Sequence, residues 1–258
     1  MNKILWMAFF FLLSPVVYAA GLAENQSRFG KVTGDVGLLS PGAADWIEAH
    51  EGLPLEPGDH IRTGEDGEVE IILSENVIGM LRPQTDLTLG HLETNSGQVS
   101  LSRGVFLGRV DSTRAAPGQN WGFNTPMAVC AVRGTEFALE MSKEDGTHLG
   151  VFNGEVEMSP AEGAGGLPEP VRVAAGHEGI AQRGKPLKVL DRFTPRMQGH
   201  RGLLHDLSRR QLRVQQTWSP FTPEYHKDLR RRFVAPVRKR PAHRAAGLHR
   251  DRSRRKGN

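Results

Sequence analysis

Between Phe29 and Leu190 no window of this chain keeps an apolar period of 3.6 residues. Short runs with a period of two stand there instead, cut at close intervals by Gly, Asn, Asp and Pro. GEVEIIL (67–73) sets the pattern, with Val69, Ile71 and Leu73 alternating against Glu68, Glu70 and Ile72. That alternation is the mark of a strand with one face buried. RTGEDG (62–67) before it and SEN (74–76) after it carry turn chemistry. Similar runs follow at VIGML (77–81), DLTLGHL (86–92), GQVSL (97–101), GVFLGRV (104–110), NWGF (120–123), FALEM (137–141), HLGVF (148–152), GEVEM (154–158) and VRVAA (171–175). KEDG (143–146) and NG (153–154) are tight-turn connectors. The pattern predicts an all-β domain of about 160 residues, enough for one core. Sandwich, barrel and solenoid are all compatible with it, and the glycine punctuation favours a short solenoid-like stack of bent strands.

One stretch decides how the domain is read chemically: AVCAVRGTEFALEM (128–141). Before Arg133 both alternating sets are apolar, Met127, Val129 and Ala131 against Ala128, Cys130 and Val132. After Gly134 one set is apolar, Phe137, Leu139 and Met141, and the other is Glu136, Ala138 and Glu140. The expectation is a strand that leaves a fully buried setting and becomes half-exposed at Gly134, the glycine marking a bend or a close backbone approach. A catalytic reading of Arg133 and Glu136 needs a second acid, a nucleophile–base pair or a metal, and two opposite charges more simply form an ion pair. The chain contains no Gly-x-Ser-x-Gly elbow, phosphate loop or His-Glu-x-x-His. Cys130, the single cysteine, sits among Ala and Val and reads as a buried small hydrophobe. The ten histidines are scattered, and His200 and His205 miss the i, i+4 spacing that puts two ligands on one helix face. No metal, cofactor or small-molecule substrate is expected.

The two ends differ from this body. MNKILWMAFFFLLSPVVYAAG opens with one charge, Lys3, then an apolar run and the small-residue pattern VYA. That layout is a secretory signal peptide over residues 1–19, with cleavage after Ala19, and it places the mature chain in the periplasm or outside the cell. Residues 1–190 carry 14 Lys+Arg against 24 Asp+Glu, a net −10, and residues 191–258 carry 19 against 5, a net +14. The asymmetry divides an acidic domain, 20–190, from a basic tail, 191–258. In the tail, GLLHDLSRRQLRVQQ (202–216) has an amphipathic helical pattern, with Leu203, Leu207 and Val214 near one face and Arg209, Arg210 and Arg213 on the polar side. Residues 219–233 and 235–258 are broken by proline and basic, have little to bury, and are expected to be disordered when unbound.

LEPGDHIRTGEDGEVEIIL (55–73), LRPQTDLTL (81–89), LSRGVFLGRV (101–110), FNTPMAVCAVRGTEFALE (123–140) and VFNGEVEM (151–158) together resemble a FecR domain over roughly residues 30–185. The resemblance implies an all-β, solenoid-like fold and a protein-interaction role in the cell envelope. Asp59, Thr63, Gly64 and Gly67 fit the first block of the family pattern, and Arg133, Gly134, Thr135, Glu136 and Phe137 the second. Both sets read as structural: turn glycines, a bend, and an Arg and a Glu that satisfy backbone groups or pair. Regulators of this family carry a cytoplasmic sigma-factor-binding domain before a membrane helix, whereas only Met1–Lys3 precede the apolar segment here. The resemblance therefore implies the domain without the anti-sigma activity.

The expected function is an exported, non-catalytic binding or scaffold module. The alternative is an extracytoplasmic part of a signalling system that contacts an outer-membrane transducer or sigma regulator. A third reading is an enzyme acting on envelope polysaccharide. The partner is expected to be an envelope protein or an anionic envelope polymer or lipid, since export argues against nucleic acid. Candidate polyanion contacts are Arg230, Arg231, Arg232, Arg238, Lys239, Arg240, Arg254, Arg255 and Lys256, each contributing about 1 kcal/mol near an anionic membrane surface. The competing reading of these charges is attraction of the tail to its own acidic body.

Overall fold

The structure is a computed structural model that describes residues 26–93, 96–113, 121–164 and 169–234. The signal-peptide reading of residues 1–19 lies outside them. The strands are β1 Arg28–Thr33, β2 Val36–Leu39, β3 Ile47–Glu48, β4 His60–Thr63, β5 Glu68–Ser74, β6 Val77–Leu81, β7 Asp86–Leu92 and β8 Gly97–Val110. They continue with β9 Trp121–Asn124, β10 Ala128–Val132, β11 Glu136–Ser142, β12 Gly146–Asn153, β13 Glu155–Pro160, β14 Val171–Ala174, β15 Glu178–Ala181 and β16 Lys188–Leu190. Three helices follow: α1 Pro195–Gln198, α2 Arg201–Thr217 and α3 Pro223–Val234.

The fold is all-β with bent strands, arranged as two facing sheets. The first sheet runs β1-β5-β6-β8-β11-β12-β15-β16, antiparallel throughout. The second runs β3-β2-β4-β7-β8-β9-β10-β13-β14, with β8 and β9 parallel and the other pairs antiparallel. Strand β8 belongs to both. GQVSL and GVFLGRV, two runs in the sequence, are its two halves: Gly97–Leu101 pairs with β7 in the second sheet, and Phe106–Val110 pairs with β6 in the first. The turn between the halves falls at Gly104, whose φ of 96° is open to glycine and costly for other residues.

The core lies between the sheets. Phe106 and Phe137 from the first meet Phe123 from the second, with ring centroids 5.1 Å (Phe106–Phe123) and 4.8 Å (Phe123–Phe137) apart. Gly79 and Gly108 are opposed across β6 and β8. A Cβ on Gly79 would strike the Phe106 ring, and one on Gly108 the Phe137 ring. Glycine inside these strands vacates the volume that the aromatic rings fill.

The outer face of the first sheet is buried as well. Ile72, Ile78, Met80, Leu107 and Ala138 form a second apolar cluster with Met197, Leu204 and Leu207 from α1 and α2. The helix predicted at 202–216 forms as α2, and its buried stripe is Leu204, Leu207 and Gln211, while Leu212 is 56% exposed.

This layering reverses the expectation for 128–141. Strand β10 is half-exposed, with Val129 41% accessible and Ala131 exposed on the open face of the second sheet. Strand β11 is the buried one: Ala138 and Glu140, on its supposedly wet face, are 0% and 2% accessible. The cause is the tail, which covers the first sheet and leaves this part of the second uncovered. A glutamate in a strand signals solvent only when no partner is folded over it.

Residues 219–233 also depart from the expected disorder, since α3 occupies most of them. Pro223, which reads as a break, is a helix start, as Pro195 is for α1. Thr194 caps α1, its hydroxyl accepting from the Met197 amide at 3.3 Å, with Pro195 in the first turn. Thr222 stands likewise before Pro223, its hydroxyl accepting from the Tyr225 amide at 3.3 Å. Proline fits the first helical turn because its missing N–H would have had no partner there.

Candidate interaction site

Asp59, Thr63, Gly64 and Gly67, the first block of residues singled out in the sequence, build one corner of the second sheet. The Thr63 hydroxyl donates to the Arg82 carbonyl at 2.7 Å and accepts from the Thr85 amide at 2.9 Å. The Gly64 amide donates to Asp35 O at 2.8 Å, and its carbonyl accepts from the Gln84 amide at 2.9 Å. Gly67 packs so closely on the Asp35 carbonyl that a Cβ would overlap it. These contacts hold the 82–85 loop, in which Gln84 takes a φ of 56°.

Asp59, the fourth member of the block, is 0% exposed and receives the guanidinium of Arg230 from α3. Arg230 Nη1 donates to Asp59 Oδ2 at 2.8 Å and to the Pro54 carbonyl at 3.0 Å. Its Nη2 donates to Asp59 Oδ1 at 3.0 Å and to Ser40 Oγ at 2.9 Å. Glu56 Oε2 lies 3.2 Å away, and the Glu56 amide donates to Asp59 Oδ2 at 2.8 Å. Two parallel bonds to one carboxylate are the strong, geometry-selective form of this pair.

The second block makes the crossing between the sheets. Gly134, at φ 63°, turns the chain from β10 into β11. Thr135 fixes the turn: its amide donates to Val110 O at 2.9 Å, and its hydroxyl donates to the carbonyls of Arg133 at 3.0 Å and Glu155 at 3.2 Å. Phe137 enters the aromatic core. Glu136 and Arg133 do not pair with each other in the way their opposite signs suggest. Glu136 binds Arg109 of β8 and accepts from Ser208 of α2 at 2.8 Å, while Arg133 is exposed.

A seam of charged pairs ties the tail to the acidic body. Glu140 takes His200 at 2.5 Å and Arg196 as well. Glu70 pairs with Arg210, and Gln215 donates to Asp111 Oδ2 at 2.9 Å. Burial pushes the Asp111 carboxyl up, but the bonds from Gln215 and Thr113, with Arg109 nearby, outweigh it and leave the group below its ordinary value. Glu178, 0% exposed, joins His148 at 2.8 Å to the Thr194 amide at 2.8 Å. Near Trp218, the Arg28 guanidinium lies 4.3 Å from that ring's centroid and 4.8 Å from that of Phe221.

Glu70, Glu140, Glu178, Ser40 and Glu56 were not singled out in the sequence. The available signal was the excess of acids over residues 1–190 set against the excess of arginines over 191–258. Of the candidate polyanion contacts, Arg230 is corrected: it is buried and committed to Asp59. Arg231 and Arg232 face solvent, Arg232 pairing with Asp228 at 2.6 Å. Arg238, Lys239, Arg240, Arg254, Arg255 and Lys256 lie outside the described residues. Cys130 is fully buried in an apolar setting that pushes its thiol up to about 12. Among the described residues no group of three or more His, Cys, Asp and Glu side chains is placed to hold a metal ion, and no helix is long and apolar enough to cross a membrane.

Residues 59–157 match the model of the family described as FecR protein. No protein of curated function matches the chain. Among solved structures, the chain is similar to a candidate anti-sigma factor from Parabacteroides distasonis ATCC 8503 determined at 1.65 Å, with 15% identity and a TM-score of 0.42. That similarity covers 52% of this chain and 59% of the other, so it spans less than two thirds of that protein. A second structure of the same description, at 2.50 Å, is 14% identical with a TM-score of 0.44, covering 58% of this chain and 73% of the other.

Proposed function

We propose, from the premise that this chain carries a FecR domain, that it is a non-catalytic binding module of the cell envelope that works through a protein partner. The observation that carries this reading is the way the chain spends its buried acids. Asp59, Glu70, Glu140 and Glu178 are each matched by a basic side chain of the same molecule. A general acid or base instead needs a carboxylate within reach of a substrate proton. Acids used this way hold one part of the chain on another, which suits a scaffold.

The second reading, an extracytoplasmic component of a signalling system, is favoured by the FecR match itself. An anionic polymer or lipid as additional partner rests on Arg231, Arg232 and the basic residues after Val234.

In-cell crosslinking of the full chain and of a chain ending at Val234, read by mass spectrometry, tests these readings. Removing residues 191–258 would be uninformative, because it also strips the cover from the first sheet. Recovery of one envelope protein by both forms supports the binding module. If that protein is a receptor or sigma regulator, the signalling reading takes its place. Capture lost with residues 235–258 assigns the contact to the basic end. Turnover of envelope glycans by the purified protein would overturn the non-catalytic reading.

A further inference from the structure

Helices α2 and α3 are held to the body by different physics. Helix α2 buries Leu204 and Leu207 against the first sheet, whereas Arg230 is the buried residue of α3. The apolar contacts of α3 lie toward its ends: Val234 is half-buried against the core, and the Phe233 ring sits 5.4 Å from that of His50. Tyr225 and Phe233 remain 52% and 41% exposed. The buried anchor of the helix is therefore one guanidinium in a pocket of acceptors, made by Asp59, Glu56, Ser40 Oγ and the Pro54 carbonyl, with His226 beside it, 3.8 Å from Glu56 and against the Phe221 ring.

We propose that this pocket is an arginine-recognition site, filled in cis by Arg230 and open in trans to an arginine on an exposed segment of the partner protein. The proposal rests on the binding-module reading and names the chemistry the partner would present. A planar guanidinium satisfies the pocket's acceptors together, and a lysine ammonium cannot reproduce the two parallel bonds to Asp59. Exchange of one arginine for another leaves no buried carboxylate unpaired, so the swap avoids the penalty that makes breaking such a pair costly. Helix α3 competes as a tethered ligand at high effective concentration. A partner's apparent affinity is consequently reduced by the fraction of molecules in which α3 is out. Release of α3 would also displace Arg231 and Arg232, coupling partner binding to the position of these charges.

The test uses a synthetic peptide of residues 219–234 as probe, titrated into full-length unaltered protein and into full-length Arg230→Ala, both checked for folding. The variant is expected to bind the peptide at least tenfold more tightly than the unaltered chain. The same peptide carrying R230K is expected to bind the variant at least tenfold more weakly. A folded variant that ignores the peptide, or one that binds the arginine and lysine peptides alike, overturns the proposal. Should Arg230→Ala not fold, hydrogen exchange on the unaltered chain decides. Amides of α3 should exchange at least tenfold faster than those of α2, and faster still with peptide present. Equal protection of the two helices overturns the exchangeable latch. A dimer of the unaltered chain that R230A abolishes would give the pocket to a second copy and overturn the assignment to a partner protein. None of these outcomes depends on the crosslinking result, so the pocket and the binding-module reading can fail separately.

Discussion

Asp59 and Arg230 stand 171 residues apart in the chain and meet through two parallel hydrogen bonds of 2.8 and 3.0 Å. Asp59 is 0% exposed and Arg230 8%. The pair joins the acidic β body to α3, the last described helix of the chain. Removing Arg230 leaves the Asp59 carboxylate buried without its counter-ion, a loss of about 3–5 kcal/mol, whereas removing Asp59 leaves Arg230 with the half-exposed Glu56 at 3.2 Å. Arg230→Ala should lower the denaturant midpoint by a large amount, and Asp59→Ala by less. The double variant should cost clearly less than the sum of the two, because neither charge is then orphaned.

Leu204→Ala and Leu207→Ala test whether α2 is part of the folded body. Both side chains are buried on the outer face of the first sheet, at 1% and 0% exposure. Each truncation should cost about 2–5 kcal/mol, read by urea unfolding. A loss below about 0.5 kcal/mol is what a helix lying free in solvent would give, and would contradict the packing described.

Gly134→Ala places a Cβ on a residue at φ 63° and against Ser112 Oγ. The left-handed conformation alone costs roughly 1–2 kcal/mol for a residue other than glycine. The expected outcome is destabilisation of at least that size, partly relieved by Ser112→Gly, which removes the clash and leaves the dihedral cost. Full rescue by Ser112→Gly would show that crowding, and not backbone conformation, sets the requirement for glycine.

Cys130, with its thiol pushed up to about 12 by burial, should resist alkylation. At pH 8 the folded protein is expected to react with iodoacetamide far more slowly than the denatured chain, since the thiolate is the reactive form. Equal rates by mass spectrometry would mean that β10 opens readily.

Asp111 offers a test of α2 docking by pH. Its carboxyl titrates below its ordinary value because bonds from Gln215 and Thr113 outweigh the opposing effect of burial. A depressed folded value contributes stability that is fully present above the unfolded carboxylate pKa, about 3.9. That contribution is lost as pH falls through the lower, folded value. Gln215→Ala should move the Asp111 titration upward in a carbon-detected NMR experiment and leave the C-terminal turn of α2 less protected. An unmoved titration would show that Gln215 does not hold the carboxylate.

The alternation of Val69, Ile71 and Leu73, the glycines at bends and the helical period of α2 were legible in the sequence, because each reflects a local period set by backbone geometry, although the buried stripe of α2 is Leu204, Leu207 and Gln211 and not Leu203, Leu207 and Val214. The β character of the domain and the position of α2 follow from those periods alone. The sequence also placed the acids and the bases in different parts of the chain. It did not determine which face of which sheet would be wet. That depended on α1 and α2 covering the first sheet and leaving Val129 and Ala131 of the second exposed, an arrangement of elements distant in sequence. For the same reason Glu140 reads as a solvent residue in its strand and is buried under His200 and Arg196. The arginines likewise carry no local mark that separates Arg230 from Arg231. One lies at the point where α3 meets Asp59 and the other one residue around the helix, facing water. Local periodicity fixes what each segment becomes, and tertiary packing decides which charges it buries.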